Sequence, residues 1–165
     1  MVQDYLGIFS AAFLGFEVPC IDLTHRRPYP KREKKFYAID PVLWKITANN
    51  AGLPPIHEAA LAEQAVAAHL VRPLANRWAG LGSLEGLYYF RSRKGKEVDF
   101  VCLDKPAGIP FGVEVKYQSK VSGWDEQSIS KGVGNGVLVT RDSFKWGNIC
   151  HIPLWVFLLL ETGNN

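Results

Sequence analysis

Two strand-like runs, EVDFVCL (97–103) and FGVEVKY (111–117), constrain this chain more than any other stretch. Apolar residues at alternate positions turn one face of a strand toward a core. Yet Asp99 sits among Val98, Phe100 and Val101, and Glu114 and Lys116 interrupt Val113, Val115 and Tyr117. Residues two apart share a face, so Glu97 goes with Asp99, and Glu114 with Lys116. If the runs pair through DKPAGIP (104–110), Asp99 stands beside Glu114, and two carboxylates meet one ammonium. Like charges brought that close, half out of water, need a counter-charge. A divalent cation supplies one, because Mg²⁺ takes one or two protein carboxylates and keeps positions for water and phosphate.

A third acid comes from an Ala-rich run. Glu63 lies four residues after Ala59 and three, four and seven before Val66, Ala67 and Leu70, on the apolar stripe of the longest expected helix. Taken singly, each residue has a plainer reading. Glu97 reads as a solvated strand end, an E-x-K pair as an exposed charged face, and Glu63 as a helix-end acid reaching water or a lysine. Together, three segments each place an acid where an apolar residue was expected.

The net charge of +3 is concentrated. THRRPYPKREKK (24–35) holds Arg26, Arg27, Lys31, Arg32, Lys34 and Lys35 against one Glu, which leaves the rest slightly acidic. Such an arm either attracts phosphate or is a solvated linker kept extended by Pro28 and Pro30. Three widely spaced cysteines without a C-x-x-C pair argue against a disulfide framework or a thiolate zinc site. LGIFSAAFLGF and HIPLWVFLLLE are too short to span a bilayer, which needs roughly 20 apolar residues. A cytoplasmic chain without a membrane partner is expected.

Along the chain, a short helix followed by a strand near FEVPCIDL precedes the arm. FYAI reads as a strand, and DPVLWKITA as a helix with Asp40 as N-cap and Pro41 at its first position. The long helix runs from Ile56 to about Trp78, ended or kinked at Pro73. Strands follow at 87–92, 97–103 and 111–117, then a helical SGWDEQSIS and a strand GVLVT. CHIPLWVFLLL closes as strand or helix. The class is α/β, with a mixed central sheet flanked by helices. Trp78, Trp124, Trp146 and Trp155 read as core or half-buried packing, with base stacking by Trp124 an unsupported alternative.

An Asp on one strand, E-x-K on the next and an acid on the preceding helix resemble the PD-(D/E)XK nuclease superfamily. KKFYAID, ALAEQAVAAHL, YYFRSRKGKEVDFV and GVEVKYQ are more closely similar to domain of unknown function 4143, the C-terminal domain that follows a P-loop ATPase in many bacterial and archaeal proteins. The likeness runs from about Tyr5 to Leu160 and implies a restriction-endonuclease-like core of helix, three strands, helix and strand. It implies an N-terminal extension with a basic arm over 1–35 and a nuclease-like domain over 36–165. It further implies hydrolysis of phosphodiester bonds in DNA with Mg²⁺ or Mn²⁺. Metal ligands would be Asp99, Glu114, the Val115 carbonyl and Glu63, with Lys116 and Gln118 completing the catalytic set. Nucleic acid would lie along the arm, and a P-loop ATPase would be a further domain or partner. One departure is clear: no G-x-x-x-x-G-K-[ST] occurs, and the glycines of KGVGNGVLVT lead into a strand rather than a helix N-terminus.

Fold does not fix function, so a catalytically silent nucleic-acid-binding or interaction module with the same fold stands as the alternative. A zinc hydrolase fails on the sequence, because Leu61 stands where H-E-x-x-H needs its second histidine, and His25, His69 and His151 are scattered. No G-x-S-x-G is present, and Cys102 and Cys150 lie in apolar runs typical of buried thiols.

Overall fold

The computed structural model describes residues 2–77, 85–103 and 108–160. A helix, α1 (Val2–Ala11), leads into β1 (Gly15–Val18), the two-residue strands β2 (Ile21–Asp22) and β3 (Arg27–Pro28), and β4 (Lys35–Ala38). Two helices follow, α2 (Pro41–Asn50) and α3 (Glu58–Val71), and then the main strands β5 (Leu87–Arg91), β6 (Glu97–Cys102) and β7 (Phe111–Lys116). Helix α4 (Gln127–Gly132), strands β8 (Gly136–Thr140) and β9 (Ile149–Pro153), and helix α5 (Leu154–Leu159) complete the order.

The central sheet has the order β5-β6-β7-β8-β9. Its first three strands are antiparallel and its last three parallel, which makes the expected mixed sheet. Helices cover both faces, as a sheet apolar on both sides requires. On one face Val66, Ala67, Leu70 and Val71 of α3 and Phe157 of α5 pack on Phe100, Val113, Val137 and Val139. On the other, Ile129 of α4 packs against Val98, Val101, Leu138 and Ile149.

Several local expectations hold for the physical reasons that motivated them. Asp40 Oδ1 accepts from the Val42 N–H at 2.8 Å, and Pro41 opens α2. The long helix is regular only over α3; residues 72–77 tighten into a 3₁₀ helix around Pro73, which has no N–H to continue the α ladder. The closing segment is both candidates in turn, strand β9 and then α5. SGWDEQSIS turns helical only from Gln127. Trp124, Trp146 and Trp155 are exposed rather than packed in the core, and Phe144 meets Trp146 edge-on at 5.5 Å. Trp78 and residues 104–107 of the expected β6–β7 loop lie outside the described residues.

The basic arm is a small hairpin rather than an extended linker. Ile21 and Asp22 pair with Pro28 and Arg27, and Asp22 Oδ1 accepts from the Thr24 N–H. β1 pairs with β4 in antiparallel register, from Gly15 opposite Ala38 to Val18 opposite Lys35. That ladder joins residues on both sides of position 35, and Phe16, Val18 and Tyr37 enter the same core. Gln64 of α3 locks the free edge of β4. Its Oε1 accepts from the Ala38 N–H at 3.1 Å, and its Nε2 donates to the Ala38 carbonyl.

Strands β7 and β8 meet at Gly112 opposite Gly136. A Cβ on Gly136 would lie 2.1 Å from the Gly112 carbonyl oxygen and 2.7 Å from Ile129 Cγ2. Backbone in mid-sheet cannot move aside. Gly136→Ala is therefore expected to cost about 2–3 kcal/mol, read as a lowered urea midpoint with little change in m value.

Candidate functional site

The β6–β7 ladder stops at the point where the acids begin. Pairing runs from Cys102 opposite Phe111 to Phe100 opposite Val113. On its other side β6 carries a register shift, since Tyr88 faces Val101 and Phe90 faces Val98. Such bulges end pairing and re-aim side chains. The backbone groups freed by the split find carboxylates instead. The Val115 N–H donates to Asp99 Oδ2 at 2.9 Å, and the Asp99 N–H donates to Glu114 Oε2 at 3.3 Å.

Around this split the structure brings together Glu63, Asp99, Glu114 and Lys116, and adds three residues that sequence reasoning placed elsewhere. Lys35, expected to face nucleic acid, turns inward. Its ammonium lies 2.7 Å from Glu97 Oε1, 3.3 Å from Glu63 Oε1 and 3.3 Å from Asp99 Oδ1. The Tyr37 hydroxyl donates to Glu63 Oε1 at 2.6 Å. Glu97, far from being a solvated end, also accepts from Arg91 Nε at 2.7 Å. The signal for Lys35 and Tyr37 was in KFYA: residues two apart on a strand share a face, so an inward Tyr37 takes Lys35 with it.

Asp99 stands between two groups, with Glu63, Glu97, Lys35 and Tyr37 on one side and Glu114 and Lys116 on the other. Lys116 Nζ is 2.8 Å from Glu114 Oε1. All four oxygens of Asp99 and Glu114 thus face an internal donor: Lys35, the Val115 N–H, Lys116 and the Asp99 N–H. Among the described residues, no group of three or more His, Cys, Asp or Glu side chains is arranged to hold a metal ion; the three carboxylates that do converge, Glu63, Glu97 and Asp99, meet on the Lys35 ammonium. Gln118 does not extend the strand face; it is exposed beyond the end of β7, and its N–H donates to the Lys116 carbonyl. Arg27, Lys31 and Arg32 are exposed on the arm, Lys34 pairs with Glu17, and Arg26 donates to the Gly108 carbonyl at 3.1 Å.

Burial dominates the electrostatics of the two carboxylates at the split. Burial, and then the Asp99 carboxylate, push Glu114 from its ordinary 4.5 up to about 7, against the pull of Lys116. Burial likewise raises Asp99, with Lys35 opposing it and Glu63 adding to it. Burial works against the Lys35 ammonium, but Asp99, Glu63 and Glu97 outweigh it and hold Lys35 above the usual lysine range. As donors, two carboxylates at a strand split are hard oxygen ligands of the kind Mg²⁺ and Mn²⁺ take, and burial makes both hold a proton more tightly than usual.

A family model described as a domain of unknown function, DUF4143, matches residues 58–145. The chain belongs to the DUF4143 family. The matched span of the DUF4143 domain holds Glu63, Glu97, Asp99, Glu114, Lys116 and Gln118, whereas Lys35 and Tyr37 lie before it. No curated protein and no solved structure matches the chain. Among the described residues, no helix is long and apolar enough to cross a membrane.

The sign of the pH dependence follows from these shifts. With Glu114 and Asp99 raised in the fold, the native state binds more protons than the unfolded chain between the ordinary carboxylate range and about pH 7. Their contribution to stability is present at low pH and is lost as pH rises through that window. Glu97, which the Lys35 and Arg91 contacts hold low against burial, acts in the opposite sense only below its ordinary 4.5. Thermal melts at pH 5 and pH 8 should show wild type losing a few degrees more than Glu114→Gln, whose side chain does not ionise.

Proposed function

We propose that this DUF4143 domain is a metal-dependent nuclease that hydrolyses phosphodiester bonds in DNA at Asp99, Glu114 and Lys116. The observation that carries the reading is the β6–β7 split. It gathers two part-neutralised carboxylates and an ammonium at one point, instead of spreading them over a solvated face. Asp99 and Glu114, with the Val115 carbonyl, are the groups that would hold Mg²⁺ or Mn²⁺. The ion would supply Lewis-acid polarisation of a phosphoryl oxygen and activation of the attacking water.

The chain's own residues do the rest. Lys116 is about one-third exposed, so its ammonium reaches solvent while it is anchored on Glu114. From there it orients a water and offsets the negative charge that develops on the phosphoryl group. Glu63 joins the cluster through Lys35 and Tyr37. Arg27, Lys31 and Arg32, exposed on the arm that leads into Lys35, are suited to a nucleic-acid backbone, with binding that falls as salt rises. A groove between α1 and the arm, lined by Arg32, Lys34 and Lys35 together with Glu17 and Glu33, meets the cluster at Lys35. A P-loop ATPase, as a further domain or a separate chain, is the partner that the resemblance suggests.

A silent nucleic-acid-binding module is the second reading. It is favoured by the internal donors on all four oxygens of Asp99 and Glu114. Calorimetry with Mn²⁺ and cleavage of single- and double-stranded DNA separate the two. The nuclease reading expects Mn²⁺ binding that Asp99→Asn abolishes. It also expects Lys116→Met to keep Mn²⁺ while losing about 10²-fold or more in cleavage rate. Salt-sensitive DNA binding with neither Mn²⁺ uptake nor cleavage would transfer the assignment to the module.

A further inference from the structure

Lys35 is built into the cluster, unlike the arm lysine it was expected to be. The β1–β4 ladder holds its backbone opposite Val18, its ammonium sits 5.5 Å from the centre of the Tyr89 ring, and its side chain is about one-fifth exposed. An ammonium has three N–H donors, and three carboxylates surround this one, Glu63 from α3 and Glu97 and Asp99 from β6. Asp99 shows Lys35 one oxygen, Oδ1, and turns the other toward β7 and the Glu114 side. Two-ion phosphodiesterases hold their ions roughly 3.5–4 Å apart on a shared carboxylate. Here one side of the shared carboxylate already has a cation.

We propose that the Lys35 ammonium is the site's built-in second cation, so that the chain takes one divalent ion, at Asp99 and Glu114, and Glu63 serves Lys35 rather than the ion. The inference rests on the metal-site reading above and sharpens it. Lys35 offsets Glu63 and Glu97 permanently and leaves Asp99 Oδ2 and Glu114 as the exchangeable position. It also assigns a task to a residue outside the span that the family match covers.

Counting bound Mn²⁺ on the full chain by electron paramagnetic resonance tests this. Wild type is expected to bind one ion, and Glu63→Gln to keep it with affinity within about threefold, the scale of a lost peripheral charge. Lys35→Met, which removes the ammonium at similar length, is expected to gain a second, weaker ion between Glu63, Glu97 and Asp99. The double variant Lys35→Met/Glu63→Gln should return to one. Two ions on wild type, loss of the ion in Glu63→Gln, or a single ion on folded Lys35→Met would each overturn the inference and leave the metal site standing. No ion on wild type defeats the metal-site reading itself. Should Lys35→Met fail to fold, the wild-type count and the Glu63→Gln affinity still decide the matter.

Discussion

A half-buried carboxylate is costly without positive charge beside it, and this structure gathers four of them: Glu63, Glu97, Asp99 and Glu114. Lys35 makes that arrangement tenable. Its ammonium contacts three of the four, and the fourth leans on Lys116. Meeting that demand engages much of the architecture. The β1–β4 ladder sets the backbone of Lys35, Gln64 ties β4 to α3, and α3 in turn presents Glu63. The N-terminal residues are thereby tied to the site chemically as well as by packing.

The split between β6 and β7 is the second organising feature. A continuous ladder would have turned Asp99 and Glu114 into ordinary strand residues, one face in and one face out. Once pairing stops at Phe100, the carboxylates take over as acceptors for the Val115 and Asp99 N–H groups. The same side chains therefore satisfy the backbone and form the candidate site. That double duty is why isosteric amides, rather than truncations to Ala, are the informative changes at Asp99 and Glu114.

Much of this was legible in the residues. The order of strands and helices, the Asp40 cap, the Pro73 break and the inward Asp99, Glu114 and Glu63 all follow from local periodicity and turn chemistry. Lys35 escaped because it closes a run of cations, and its composition outweighed the alternation of a four-residue strand. The tryptophans erred in the other direction: Trp124 and Trp146 are large and apolar but sit on loops that no layer covers. Glu97 read as a strand end because its two cationic partners, Lys35 and Arg91, come from different strands.

The sequence alone determined the α/β class, the mixed sheet and the presence of acids where apolar residues belonged, because those features depend on spacing within segments and on the order in which strands and helices follow one another. Only the tertiary structure decided which charges meet. Lys35 lies 64 positions before Asp99, and Glu63 lies 36 before it. Their contact exists because β4 and α3 are both held against the same face of the sheet, next to the point where its ladder opens. Coulomb's law acts on distance in space, and no periodicity within one element encodes that distance across three.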